Sequence, residues 1–359
     1  MNPIKNKKNL SSTIEEIQKD GFTIHEQVDI GVGGSDLIST SEIIGNAIIK
    51  LTNIIKKSKP DIFLVYADRY ESFAAAIASS QTNTVTAHVE GGDLTEGGAL
   101  DDSVRHAMTK LSHLHYVTNL NSYERILAMG EEEWRTKLVG YPAIDLIENN
   151  EFINSEDINK YIDINPAKPI IIFTQHSVTN KFELAREQLT PSLEAIYKAA
   201  KERLIQCIFT YPNNDAGGIE IFNIINEFAS KIDNSIVKES LGRKLYWGLL
   251  NLSRTSENNI ICIGNSSSGI KETATFKCPT INIGSRQSGR LRGTNIIDCD
   301  YNAEEIYDAI IKCLDDKNFK IICENSTNPY GLGGAGFKIA ESLSSVECND
   351  KMLTKKMTI

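Results

Sequence analysis

The chain has 359 residues, 41% of them hydrophobic and 24% charged, with a formal net charge of −9 at pH 7. That length suits about two domains with real cores, and the composition lies away from the low-hydropathy, high-charge range in which chains stay disordered. The acidic balance argues against a nucleic-acid partner, because non-specific binding to a polyanion is driven by Lys and Arg neutralising phosphates. A local basic pocket for a small anion survives that argument. The seven cysteines, Cys207, Cys262, Cys278, Cys299, Cys313, Cys323 and Cys348, are scattered and contain no C-x-x-C pair. They read as reduced thiols acting as small apolar core residues in a reducing compartment. Residues 1–10 carry positive charge with no apolar stretch behind them, so no secretory signal is read there. No run reaches the roughly 20 apolar residues of a membrane span. The expectation is a cytoplasmic enzyme or binding protein.

Taken in order, residues 15–19 read as helical, and residues 42–57 place Ile43, Ile44, Ala47, Ile48, Leu51, Ile54 and Ile55 at helical spacing before Pro60. Residues 61–66 form a short apolar run expected of a strand buried on both faces. An Ala-rich helix over 72–80, a strand over 83–87, a helix over 101–115 and a strand over 115–118 follow. Next come a helix through Met129 and a strand at 137–139. Asn, Glu, Asp and Pro concentrate between Tyr141 and Pro169, which predicts an interdomain segment. The alternation then resumes with strands at 169–173, 205–209, 260–263 and 280–283 and helices through Ala200, over 220–231, over 269–276 and from Ala303. Repeated βα units predict an α/β protein with parallel sheets, divided into residues 1–160 and residues 161–359, the last helix crossing back.

In open α/β sheets ligands sit beyond the carboxyl ends of strands. Polar clusters follow six of these strands: Ala67-Asp-Arg69, His88-Val-Glu-Gly-Gly-Asp93, Thr174-Gln-His176, Pro212-Asn-Asn-Asp-Ala-Gly-Gly218, Gly264-Asn-Ser-Ser-Ser-Gly269 and Gly284-Ser-Arg-Gln287. Asp68, Glu90 and Asp101 are carboxylates that three segments can bring to one cleft, where mutual influence on their pKa values would suit acid and base work. Each also has a plainer reading as a turn or helix cap, strongest for Asp101 at a helix start. Asp101 and Arg105 also have the spacing of an i,i+4 ion pair. The loop from Gly264 to Gly269 precedes a helix and, with Arg286 and Arg290 after the next strand, points to a phosphate or diphosphate, or to a simple βα turn. His176 at a strand end suits a phosphate donor, a general acid or a structural role.

Three patterns carry no function in this reading. Gly331-Leu-Gly-Gly-Ala-Gly336 has the letters of a dinucleotide loop but follows Asn-Pro-Tyr, with no strand directly before it. His106, His113 and His115 lack a matching carboxylate spacing for a metal. The run Glu131-Glu-Glu133 reads as a solvated helix end.

Six ordered segments, Ala67-Asp-Arg-Tyr-Glu71, His88-Val-Glu-Gly-Gly92, Asp101-Asp-Ser-Val-Arg-His106 leading into Thr109-Lys-Leu-Ser-His-Leu-His115, Tyr211-Pro-Asn-Asn-Asp-Ala-Gly217, Ile263-Gly-Asn-Ser-Ser-Ser-Gly269 and Gly284-Ser-Arg-Gln287, together resemble the hydrolysing UDP-N-acetylglucosamine 2-epimerases. These serve sialic-acid and legionaminic-acid type sugar biosynthesis, and relatives act on a diacetamido-trideoxy sugar nucleotide. The resemblance spans nearly the whole chain. It implies two Rossmann-like domains with an interdomain cleft, the fold of B-type glycosyltransferases, with UDP held mainly by the C-terminal domain. It implies proton removal at C2 with anti elimination of UDP to a glycal, then addition of water to give the free 2-epimer, N-acetylmannosamine in type. By the same resemblance Asp68, Glu90 and Asp101 do acid and base work, while His176, Asn213, Ser266, Ser267, Gly269, Glu272 and Arg286 contact the nucleotide. Glu272 is expected at the ribose, the serines at the diphosphate, and Arg69 at the leaving group. Neither a metal nor another cofactor is implied, the partner is the UDP-sugar, and a homo-oligomer, dimer or tetramer, is expected.

Two departures from the family pattern stand out. The loop between Glu90 and Asp101 is longer than in the animal members, and the opening strand with its Gly-Thr-Arg loop has no counterpart, so the N-terminal domain is expected to lack its first βαβ unit. Other readings are a non-hydrolysing epimerase, a glycosyltransferase, or a truncated nucleotide-sugar-binding protein without catalysis. The short interval from His-Val-Glu-Gly-Gly to Asp-Asp-Ser-Val-Arg-His favours the hydrolysing branch.

Overall fold

Short apolar runs become strands, amphipathic stretches become helices, and the two kinds segregate into a pair of parallel sheets. The computed structural model describes residues 14, 17–31, 37–95, 100–212, 218–254 and 260–359; Asn213, expected at the nucleotide, lies outside them. Helix α1 (Leu37–Ser58) buries Ile43, Ala47 and Ile55 at helical spacing. Then come β1 (Ile62–Tyr66), α2 (Tyr70–Gln81), β2 (Val85–Val89), α3 (Leu100–Leu111), β3 (Leu114–Val117), α4 (Leu120–Ala128) and β4 (Thr136–Leu138). The strands pair in the order β1-β2-β3-β4, all parallel, with Ile62 opposite Val85, Ala87 opposite Leu114 and His115 opposite Thr136. Parallel pairing places all the carboxyl ends on one rim.

After α5 (Ala143–Glu148) the second half builds β5 (Ile170–Thr174), α6 (Ala185–Arg203), β6 (Gln206–Thr210), α7 (Gly218–Ala229), β7 (Ser235–Lys238) and α8 (Gly242–Asn251). It continues through β8 (Ile260–Gly264), α9 (Ser267–Lys271), β9 (Thr280–Ile283), β10 (Ile296–Cys299), α10 (Ala303–Asp315) and α11 (Lys317–Glu324). The sheet is parallel in the order β10-β9-β8-β5-β6-β7. Helices cover both faces, with Phe173, Leu193 and Ile310 in one core and Ile172, Leu249 and Phe276 in the other. The chain finally returns to the first sheet, where α12 (Ala335–Ser344) and α13 (Asp350–Leu353) pack Ala335, Ile339 and Met352 against Val85, Ala87 and Leu114. Among the described residues no helix is long and apolar enough to cross a membrane.

Several expectations need correction. The β1 strand is not buried on both faces: Leu64 is 49% and Tyr66 46% exposed, because β1 is an edge strand and the layer of α12 and α13 covers its neighbours instead. Helix α3 stops at Leu111, since His113 turns back to bond β2 through both its backbone N–H and its Nδ1. β7, α8 and β10 lie outside the elements that the sequence pattern predicts; β7 and β10 are short edge strands whose residues lack a continuous apolar run. Glu131 is not a solvated helix end, being 1% exposed and paired with Lys110, His115 and Lys355. The glycine run at 331–336 opens α12, and its Ala335 and Gly336 N–H groups donate to the Asp145 carboxylate at 3.0 and 2.7 Å. A protein carboxylate thus occupies that helix start. Six cysteines are buried and Cys348 is exposed.

Candidate active site

The carboxyl ends of β1 and β2 hold the first cluster. Two non-glycine residues there adopt left-handed backbone, Ala67 (φ 58°) immediately before Asp68, and Glu90 itself (φ 66°). Such conformations are costly and persist where the surroundings fix them. His88 supplies part of that constraint. Fully buried, with its pKa pushed down to about 4 by burial, it is neutral and bonds the Ala67 carbonyl through Nε2 at 2.8 Å. The Glu90 N–H donates to the Tyr116 carbonyl at 2.9 Å. Gly92 follows at φ 76°, where a Cβ would lie 2.4 Å from the Ser122 carbonyl oxygen, so the turn requires glycine.

Glu90 is 5% exposed and satisfied at both oxygens. The Tyr66 hydroxyl donates to Oε1, and Lys271 Nζ lies 3.0 Å from Oε2. Although the ring is partly exposed, burial around its hydroxyl end, followed by the charge of Glu90, raises the Tyr66 pKa, so Tyr66 stays a phenol and a donor. Neighbouring Asp68 accepts from Arg105, which is 1% exposed and also bonds Asp102 at 3.3 Å. Burial lowers the Arg105 pKa to about 9, which leaves it charged at neutral pH, and raises that of Asp102 to about 6. Asp101 is half-buried in the first turn of α3, beside Asp102. Arg69 is exposed and pairs with Glu71 at 3.2 Å.

The second sheet supplies the opposing wall. Lys271, at the end of α9, is 4% exposed and lies 2.8 Å from Asp93 as well as 3.0 Å from Glu90. Arg290 lies 3.4 Å from Asp93 and donates to Thr95 Oγ1 at 2.8 Å. Burial opposes ionisation of Asp93, but Lys271 and Arg290 outweigh it and hold its pKa below the usual value. Arg290, read from the sequence as part of an anion site, is therefore engaged by a protein carboxylate.

Asn265 is the hub of the loop after β8. Its side chain accepts from the His176 N–H at 2.7 Å and donates to the His176 carbonyl at 2.9 Å. Its own carbonyl accepts from Arg286 at 3.0 Å and Gln287 at 2.8 Å. Before it, Gly264 (φ 134°) approaches β5 so closely that a Cβ would stand 1.9 Å from the Thr174 oxygen. Ser266 is half-buried, Ser267 exposed and Gly269 buried. Glu272 is buried, accepts from Trp247 at 2.7 Å and from Tyr141 at 3.5 Å, and has its pKa raised by burial.

These two groups of residues share one site. An ion pair joins Asp93 to Arg290, and from Arg290 a hydrogen-bonded chain runs to Gln287 at 2.7 Å, to Asn265 and to His176. Sequence reasoning missed Tyr66, Asp93, Asp102, Lys271 and the hub role of Asn265. The available signals were a tyrosine ending an apolar strand, an acid beside the glycine pair, and a lysine ending an otherwise uncharged helical turn. Among the described residues no group of three or more His, Cys, Asp or Glu is placed to hold a metal ion.

Comparison with known proteins agrees with this architecture. A hydrolysing UDP-N,N'-diacetylbacillosamine 2-epimerase of Legionella pneumophila is 30% identical over 344 residues, 96% of this chain and 86% of that protein. A hydrolysing GDP/UDP-N,N'-diacetylbacillosamine 2-epimerase of Campylobacter jejuni is 33% identical over 309 residues, 86% of this chain and 77% of that one. The Neisseria meningitidis UDP-GlcNAc 2-epimerase, in a crystal structure bound to UDP-GlcNAc, superposes with a TM-score of 0.80 at 18% identity, covering 94% of this chain and 89% of that chain. It shares the fold. The family model described as UDP-N-acetylglucosamine 2-epimerase matches residues 4–344, and the chain belongs to that family.

Proposed function

We propose that the protein is a hydrolysing 2-epimerase that converts a UDP-2-acetamido sugar and water to UDP and the free 2-epimer. The observation that carries this reading is Glu90: a buried carboxylate on left-handed backbone, at a strand end, connected through Lys271, Asp93 and Arg290 to the loop beyond β8. A C2 proton is weakly acidic, so its removal is coupled to departure of the diphosphate, and both events need charge placed in advance. In this mechanism a carboxylate among Asp68, Glu90 and Asp101 takes the proton while the C1–O bond breaks and UDP leaves. Water then adds to C1 of the glycal, and a carboxylic acid returns a proton to C2 from the opposite face. His176, Asn213, Ser266, Ser267, Gly269, Glu272 and Arg286 hold the nucleotide, with Arg69 at the leaving group.

The names of the Legionella and Campylobacter relatives support UDP-2,4-diacetamido-2,4,6-trideoxy-glucose as a substrate to test beside UDP-N-acetylglucosamine. The buried thiols suit a cytoplasmic setting. The test is incubation with each UDP-sugar in D₂O, followed by NMR. Free 2-epimer deuterated at C2 together with released UDP is the expected product. Deuterated UDP-sugar without release would instead mark a non-hydrolysing epimerase, and UDP binding without turnover would mark a binding protein.

A further inference from the structure

We propose that Lys271 is a positioning residue, holding the Glu90 carboxylate for proton transfer from the opposite side of the cleft. The inference rests on the role given to Glu90 above. Lys271 ends α9, which follows β8 of the six-stranded sheet, whereas Glu90 follows β2 of the four-stranded sheet. Its ammonium therefore bridges the two halves. A buried cation is costly unless paired, and here two carboxylates offset that cost, with the rings of Tyr141 and Tyr330 at 5.2 and 5.6 Å.

The two carboxylates do not depend on Lys271 equally. Asp93 has a second cation in Arg290, whereas among the described residues Lys271 is the cation in ion-pair range of Glu90. Tyr66 holds one oxygen of Glu90 from its own sheet, and Lys271 holds the other from across the cleft. Both oxygens are thus held only while the halves are apposed. Helix α9 is one short turn, so the same element links this ammonium to the Ser267 end of the loop beyond β8. Proton transfer is sensitive to such placement, a displacement of about 1 Å costing about 100-fold in rate.

The test compares Lys271→Met, Lys271→Arg and the charge-balanced double variant Lys271→Met with Asp93→Asn, measuring UDP release and thermal melting. Lys271→Met is expected to lower kcat about 100-fold with KM within about threefold, and Lys271→Arg to stay within about tenfold of the parent. The double variant should regain melting temperature without regaining kcat. Recovery of both would reduce Lys271 to a structural ion pair and overturn the proposal. So would an unchanged kcat, or a raised KM at normal kcat, which would put Lys271 on the substrate. If the parent protein turns over, Glu90→Gln does not, and Lys271→Met is unaffected, this inference alone fails. If the parent neither exchanges C2 hydrogen nor releases UDP, the reading of the site fails and takes the inference with it.

Discussion

Glu90 and Glu131 are both buried glutamates with lysine partners, yet they do different things. Glu131 lies at the amino end of β4, and its cations come from α3 (Lys110, 2.5 Å) and the carboxyl-terminal tail (Lys355, 2.7 Å), with the β3 side chain His115 at 3.0 Å. Beside it Arg135, 1% exposed, donates to the carbonyls of Met352, Lys351 and Thr354. This cluster fastens the returning tail to the first sheet. Burial alone would raise the Glu131 pKa, but His115, Lys110 and Lys355 bring it down to about 2. The Glu90 cluster lies on the opposite, carboxyl rim and spans both sheets.

Backbone conformation separates the two further. The left-handed residue before Glu131 is Gly130, whereas at Glu90 the acid itself takes that conformation. Burial of charge is therefore a poor guide to chemistry by itself. Rim, strain and a partner across the cleft are what mark Glu90 out.

The sharpest way to break this contrast is Glu90→Gln. Turnover should fall about 1,000-fold while UDP affinity, read by calorimetry, is retained; near-normal turnover would remove Glu90 from the mechanism. Glu131→Ala should do the reverse, costing about 2 kcal/mol in urea unfolding by leaving the buried His115 and the partly buried Lys355 without their acceptor, with kcat of the folded protein unchanged. A loss of kcat at full stability would erase the distinction between the clusters.

Acid should strain the site side through His88. Its pKa lies near 4 in the folded protein and about 6.5 unfolded, so below pH 6.5 the unfolded chain binds the proton first. Its stabilising contribution is complete above pH 6.5 and falls as pH drops toward 4, by about 2 kcal/mol between pH 7 and pH 5. His88→Gln should flatten that part of the stability–pH curve, and an unaltered slope would assign it to other groups. The smallest effect belongs to Asn265→Ala, which removes both side-chain bonds to the His176 backbone and should weaken UDP binding about tenfold while costing about 1 kcal/mol in stability.

Much of this protein was legible in one dimension. Apolar runs such as residues 170–173 and 260–263, each ending in a polar cluster, determine parallel strands and the rim where ligands bind, because βα periodicity is a local property of the chain. Asp68, Glu90 and the serine loop could be picked out because each directly follows such a run. Their partners could not. Arg290 read as an anion ligand until Asp93 appeared beside it, Glu131 read as solvated until the tail returned over it, and Lys271 gave no sign that its ammonium reaches Glu90, 181 positions away. Edge exposure of β1 and the short β7 and β10 were equally hidden, since an edge is defined by what does not pair with it. Charge pairing and burial depend on contacts between distant segments, so the order of residues determined the scaffold and the chemistry available. Only the apposition of the two halves decided which carboxylate meets a cation from across the cleft and which cation holds it.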